Sequence, residues 1–316
     1  MSFDSSRLIF IVGHYKSGSS WLLNLLSLHP AIRGVQETHI FHHLRATPDL
    51  RKCTRTLYTA VPWSGGGLRH LPRHVLLAHF GRFLGHGRPL LSLSVQDRPM
   101  TRLDLPLHGQ LALHRQLNSS SSVCEYCWRF FSFLWSHLQP ERYLLEKTPS
   151  NIRYLGDIVQ IFPQARLLAI HRDGRDVVVS DRSFRGNYKR SSDWTFRQSA
   201  LRWREDMDAQ FRACRIADLY TLSYEDLVQD ADKTLRKLLN YLQLSASSDI
   251  LDDMIERASF RFRSGRQQGE EDPHSFLRKG VVGDWNHHFG QEEKEIFKEV
   301  AGHMLIRLGY ESNEYW

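Results

Sequence analysis

Long apolar runs are absent from this 316-residue sequence, and none approaches the ~18 consecutive apolar residues that a membrane helix requires. No membrane span is therefore expected. Cysteine is scarce: Cys53, Cys124, Cys127 and Cys214 are all there are, too few for a disulfide framework and suited to a reducing compartment. Cys124-Glu125-Tyr126-Cys127 has no second pair at zinc spacing, so core packing is the expected role of this stretch. The pairs His42-His43 and His287-His288 show no ligand pattern either, and adjacent residues point in different directions. They read as surface or pocket-edge groups. Internal repeats are lacking, and low complexity is confined to Gly65-Gly66-Gly67 and Ser119 to Ser122, which read as loops. The first apolar run, Leu8-Ile9-Phe10-Ile11-Val12, is too short for a secretory signal, so the expected address is the cytoplasm.

What is present is an ordinary globular composition with a formal charge of +7 before the seventeen histidines are counted. Such a chain attracts polyanions. Its basic residues are scattered, however, and no long Lys/Arg block suggests an arm wrapping nucleic acid, which is not an expected partner. The length suits one domain spanning residues 1–316. Leu8 to Val12, Tyr143 to Leu145 and Arg166 to Ile170 read as buried parallel strands, with Ala217 to Leu222 a fourth. Helices are expected at Ser19 to Leu28, Asn151 to Ile161, Asp173 to Phe184, Trp194 to Arg212 and Asp232 to Leu242. Others are expected around Arg73 to Gly85 and Ser122 to Leu138. This alternation predicts an α/β fold of three layers, a central parallel sheet flanked by helices.

Gly13-His14-Tyr15-Lys16-Ser17-Gly18-Ser19-Ser20-Trp21 joins the first strand to the first helix, where unpaired N–H groups and the helix dipole form an anion site. Its length matches the nucleoside triphosphatase loop G-x-x-x-x-G-K-[ST], yet Ser19 stands where that motif has its lysine. The lysine comes earlier, at Lys16. A lysine inside the loop can reach the bridging oxygen of a 5′-phosphate and stabilise charge as a bond breaks. A basic turn opening an ordinary helix would look the same on this segment alone.

The loop is similar to the 5′-phosphosulfate loop of the sulfotransferases that use 3′-phosphoadenosine-5′-phosphosulfate (PAPS), written Pro-Lys-Ser-Gly-Thr-Thr-Trp, with Tyr15 in place of proline and serines in place of threonines. Two further blocks match in order. Ile170-His171-Arg172-Asp173-Gly174-Arg175-Asp176-Val177-Val178-Val179-Ser180 resembles the family's 3′-phosphate block, where Arg172 and Ser180 would meet one anion as a charged donor and a hydroxyl. Arg278-Lys279-Gly280-Val281-Val282-Gly283-Asp284-Trp285 resembles its C-terminal Arg-Lys-Gly motif. The resemblance implies a P-loop-like sulfotransferase fold, PAPS as co-substrate, 3′-phosphoadenosine-5′-phosphate (PAP) as product and no metal. Lys16, Ser17, Gly18, Ser19, Ser20, Arg172, Ser180, Arg278, Lys279 and Gly280 would bind the nucleotide. Trp21, Phe260 and Tyr224, the last in Ser223-Tyr224-Glu225-Asp226-Leu227, would form its adenine side. Seen alone, each of these three rings is more often core than a nucleotide contact.

Transfer needs a base for the acceptor proton and donors for the departing phosphate. In the small-molecule branch of the family the base is a histidine in Lys-Thr-His, but this chain has Lys147-Thr148-Pro149. The carbohydrate and tyrosyl-protein branches place a glutamate soon after the first helix, and Gly34-Val35-Gln36-Glu37-Thr38-His39-Ile40-Phe41 resembles that arrangement. Glu37 is thereby the candidate base, His39 its rival, and Lys147 the group that would steady the sulfuryl. The acceptor would sit against a helical insertion, residues 42–139, and loops near Phe184 to Trp194, with Trp63, Trp128, Phe130, Phe131, Arg69 and Arg73 as possible contacts; residues 261–285 would cover the nucleotide. The glutamate branch tilts the acceptor toward a glycan or glycolipid hydroxyl. A P-loop-like nucleotide kinase and a non-catalytic basic scaffold for polyanions are the other readings.

Overall fold

Alternation of side chains along the first strand divides the interior in two. A computed structural model describes residues 3–47, 49–54, 100–101, 107–188 and 195–316; the side chains of 100–101, 107–111 and 184–188 lie outside the description. β1 (Leu8–Gly13) is buried throughout. It sends Leu8, Phe10 and Val12 to one face and Ile9 and Ile11 to the other, as the period of two requires. The first face packs on α4 (Val123–Leu138) through Phe130, Phe131 and Leu134. The second packs on α1 (Ser19–Ser27), α9 (Ala231–Tyr241) and α10 (Ser248–Ala258). Each Leu, Ile or Phe so buried contributes about 1.5–3 kcal/mol of transfer free energy.

The sheet is parallel, in the order β3-β2-β4-β1-β5-β6. Its members are β2 (Ile32–Gln36), β3 (Met100–Thr101), β4 (Tyr143–Lys147), β5 (Arg166–His171) and β6 (Leu219–Ser223). Gln36 lies opposite Lys147, Gly13 opposite Ile170 and His171 opposite Ser223, so the carboxyl ends of five strands open on one edge. Ligands of open α/β sheets bind at that edge, where the connections diverge. The remaining described helices are α2 (Ile40–Ala46), α3 (Leu107–Asn118), α5 (Leu155–Ile161), α6 (Gly174–Tyr188), α7 (Phe196–Ala213), α8 (Tyr224–Gln229), α11 (Phe260–Ser264) and α12 (Gln291–Arg307). A third cluster, centred on Trp203 and Phe297, joins α6, α7 and α12.

The expected strands and helices are present with their ends shifted, and several readings need correction. Asn151 to Ile161 is not one helix: a 3-10 segment, Pro149–Tyr154, precedes α5, because Pro149 enters a helical turn only near its start. The last strand begins at Leu219, two residues after Ala217. β2 and β3 were not expected. Phe130 and Phe131 are core rather than acceptor contacts; Phe131 meets the rings of Phe10 and Phe162 at 5.4 and 5.3 Å. Trp128 packs on Phe162 as well, at 5.1 Å. The helix expected at Arg73 to Gly85, together with Trp63, Arg69 and Arg73, lies outside the described residues. All four cysteines are free: Cys127 is buried on α4, as core packing requires, and Cys124 is exposed.

Candidate active site

β1 ends in the loop whose backbone was read as an anion cradle. Gly18 has φ 90°, and a Cβ there would stand 2.6 Å from the Tyr224 ring, so only glycine lets the loop settle on that ring. α1 then starts with the N–H groups of Trp21 and Leu22 donating to the Gly18 carbonyl. The Ser17 hydroxyl oxygen is buried with no hydrogen-bond partner among the described residues, as are Nε1 of Trp21 and Nε of Arg172. Buried polar atoms of this kind are costly unless something else meets them. A cradle with these donors fits a phosphate-bearing ligand. Lys16, at φ 68°, sits at the crest of the loop with its ammonium 4.7 Å from the Phe276 ring. Burial lowers its pKa to about 8; Asp181 opposes the shift, and Arg172 and Arg278 add to it.

Arg172 follows β5 directly and sits over the Tyr224 ring, its Cζ 4.4 Å from the ring centre. It donates to the carbonyls of Val281 (2.8 Å) and Lys16 (3.4 Å) and to Asp176 (3.3 Å). Ser180, also buried, is one turn beyond Asp176 on the same face of α6. Trp21 meets the edge of Tyr224 at 5.6 Å, which makes Tyr224 the support of the group and leaves Trp21, only half buried, as the ring nearer solvent.

The segment carrying Arg278-Lys279-Gly280 is anchored by its backbone. Asp176 accepts from the N–H groups of Gly283 (2.8 Å) and Trp285 (2.9 Å), and Phe260 packs directly on Gly280. Arg278 and Lys279 both donate to the buried Asp284, Lys279 at 2.6 Å, and Arg278 also reaches Glu271 at 2.5 Å. Burial would raise Asp284, but these two cations outweigh it and hold the carboxyl at about 2.

Across the sheet edge, Lys147 is fully buried at the end of β4. Its ammonium donates to Glu37 at 2.5 Å and to Ser20, in the first turn of α1, at 3.1 Å. Glu37 has φ 40° and His39 φ 52°; the His39 ring lies 3.4 Å from the second Glu37 oxygen. Burial favours the neutral acid, but Lys147 and His39 outweigh it and hold Glu37 at about 2. Beneath them is a residue that sequence reasoning missed. Glu146, wholly buried and raised in pKa by that burial, accepts from the N–H and hydroxyl of Thr38 (3.1 and 2.9 Å), from Asn151 (3.0 Å) and from the Thr148 hydroxyl. A carboxylate directly after the apolar run Tyr143-Leu144-Leu145, between it and Lys147, was the available signal.

The expected site residues thus fall into two groups on one edge: Lys16, Ser17, Gly18, Ser19, Ser20, Trp21, Arg172, Ser180 and Tyr224 with the Phe260 and Arg278–Gly280 cover, and Lys147, Glu37 and His39 beside them. Among the described residues no set of three His, Cys, Asp or Glu side chains forms a metal-binding group, and no helix is long and apolar enough to cross a membrane.

A model of the sulfotransferase family matches residues 95–248. Among curated proteins, protein-tyrosine sulfotransferase 1 of Danio rerio is 22% identical over 312 residues, covering 96% of this chain and 72% of that protein. The 3-beta-hydroxysteroid sulfotransferase of Cavia porcellus is 25% identical over 157 residues, 43% of this chain, and the chain covers only 55% of its length. Of a 3-alpha-hydroxysteroid sulfotransferase from the same animal the chain covers 37%. Among solved structures, a mouse sulfotransferase complexed with PAP aligns at TM-score 0.53 and 15% identity, over 96% of this chain and 85% of that one. A sulfotransferase domain from the curacin biosynthetic pathway aligns at TM-score 0.54 and 14% identity, over 98% and 99%. These structural likenesses show a shared fold.

Proposed function

We propose that this chain, which is similar to sulfotransferases over residues 95–248 and to a protein-tyrosine sulfotransferase over 96% of its length, moves a sulfuryl group from PAPS to an acceptor hydroxyl, with Glu37 as base. The observation that carries this reading is one buried ammonium, Lys147, bridging the phosphate loop at Ser20 and the carboxylate of Glu37. In this reading one side chain spans the donor site and the base.

In this reading the loop N–H groups and Lys16 hold the 5′ end of the donor, and Arg172 with Ser180 holds the 3′-phosphate. Trp21 and Phe260 flank the base, and residues 261–285 cover it through Arg278, Lys279 and Gly280. The bond between sulfur and the bridging oxygen breaks while the acceptor oxygen bonds to sulfur. Lys16, cationic below about pH 8, offsets the charge left on the departing phosphate. The acceptor proton goes to Glu37. Held at about 2, Glu37 is a weak base as long as it faces Lys147. When the Lys147 ammonium turns to the sulfuryl oxygens, the carboxylate loses its partner and its proton affinity rises. We assign the acceptor to glycan or glycolipid hydroxyls, on the resemblance of the Glu37-Thr38-His39 stretch to the carbohydrate branch, and place it against residues 42–139. The four free cysteines suit a cytoplasmic address.

Calorimetric titration with PAP, with and without magnesium and against ATP, tests the donor site on the wild type and on Arg172→Ala. Tight binding without metal that is lost in Arg172→Ala is expected; a preference for magnesium-ATP returns the chain to the kinase reading. Sulfation assays with an oligosaccharide and a tyrosine peptide then separate the acceptor classes.

A further inference from the structure

We propose that His14 and Tyr15 are positioning residues that fix Lys16 by tying the phosphate loop to two buried carboxylates, Asp206 and Asp181. The inference rests on the donor reading above. Tyr15 stands where the similar loops have proline, whose ring restrains the backbone. Here the phenol supplies a restraint: its hydroxyl donates to Asp181 at 3.0 Å, and the same carboxylate oxygen accepts from Ser199 at 2.8 Å. One residue earlier, the His14 ring lies 4.2 Å from that of Tyr15 and bonds through Nδ1 to Asp206 at 2.6 Å. Burial lowers the His14 pKa despite Asp206, and since a carboxylate only accepts, Nδ1–H is the donor. The other Asp206 oxygen accepts from Arg153, in the 3-10 segment that follows Lys147.

The two tethers act from different elements. Asp181 is on α6 and Asp206 on α7, so the loop is held between two helices and, through Arg153, against the 3-10 segment that follows Lys147. Lys16 follows directly, with φ 68°, a backbone conformation that L side chains rarely adopt and that persists only where neighbours enforce it. The tethers also differ electrically. Asp181 is the acidic group that favours the Lys16 ammonium, against burial and the nearby Arg172 and Arg278; Asp206 is instead engaged by His14 and Arg153.

PAP titrations from roughly pH 6 to 10, which span the Lys16 value of about 8 and stop below the ordinary lysine value, on the wild type, Tyr15→Phe, Asp181→Asn and Asp206→Asn, with PAPS transfer kinetics alongside, test the tethers. Tyr15→Phe should lower kcat roughly tenfold while PAP affinity changes by less than about threefold, the split expected when a transition-state contact is misplaced. Wild-type PAP affinity should decline as pH rises through about 8, where Lys16 loses its charge. Asp181→Asn should move that midpoint to lower pH. Asp206→Asn should lower kcat and leave the midpoint in place. A wild-type kcat in Tyr15→Phe, or a midpoint that shifts equally in both aspartate variants, overturns the tethers alone. A wild type that fails to bind PAP overturns the donor reading, and the tethers with it.

Discussion

The donor half of the site and the acceptor half are built to different standards of rigidity. On the donor side Arg172 sits over Tyr224 and donates to two carbonyls, Gly18 rests on the same ring, and Asp176 holds the segment of Gly283 and Trp285 by two N–H groups. On the acceptor side Glu37 and His39 keep more than a third of their side-chain surface open, 39% and 36%, and both occupy left-handed backbone. A nucleotide that never varies is met by a preformed surface. In the proposed mechanism Glu37, as a base that changes partners within one turnover, is suited to a rim position beside the buried Lys147.

The sharpest way to break this contrast is at Lys147. Lys147→Ala should cut transfer by about a thousandfold through loss of the group facing the sulfuryl oxygens. Lys147→Arg should not restore it, because the fully buried site holds a compact ammonium rather than a planar fork. Glu37→Gln should lower transfer by about a hundredfold or more with PAP affinity preserved; equal loss of both would place Glu37 on the donor side.

The same substitution has a signature in the free protein. The folded value of Glu37, about 2, lies below its ordinary 4.5, so its ion pair stabilises the fold above pH ~4.5 and is lost as pH falls toward 2. Melting temperature followed across that window should fall less steeply in Glu37→Gln than in the wild type. Next in size, Glu146→Ala should destabilise the protein by about 3 kcal/mol in urea unfolding, since it strands Thr38, Thr148 and Asn151 in the core. Smallest, His39→Ala should slow transfer only a few-fold, as a neighbour of the base. A loss larger than that of Glu37→Gln would exchange their roles.

Groups contiguous in the chain were legible in the sequence. Lys16 to Trp21, Arg172 to Ser180 and Lys147 each announce themselves by a strand, a turn and a helix start, and the structure puts them on one edge. Partners far apart were not legible. Nothing local pairs His14 with Asp206 or Glu146 with Thr38; only the sheet order brings them together. β2 escaped notice because Gly34 sits in its middle and Arg33 and Gln36 face out. The glycine is needed there because a Cβ would stand 2.1 Å from the Ser27 hydroxyl of α1. Phe130 and Phe131 were misread because an aromatic pair on a helix looks alike whether it faces a ligand or the sheet.

The strand order also sets a timetable for folding. β4 is inserted between β1 and β2, yet more than a hundred residues separate it from β2 in the chain. The first two strands cannot close on each other without shutting β4 out, so the slot must wait for a distant segment, and such long loop closures are the slow steps of folding. Lys147, at the end of that late strand, should acquire its contacts last during refolding, and a chain emerging from synthesis has no assembled site until well past its midpoint.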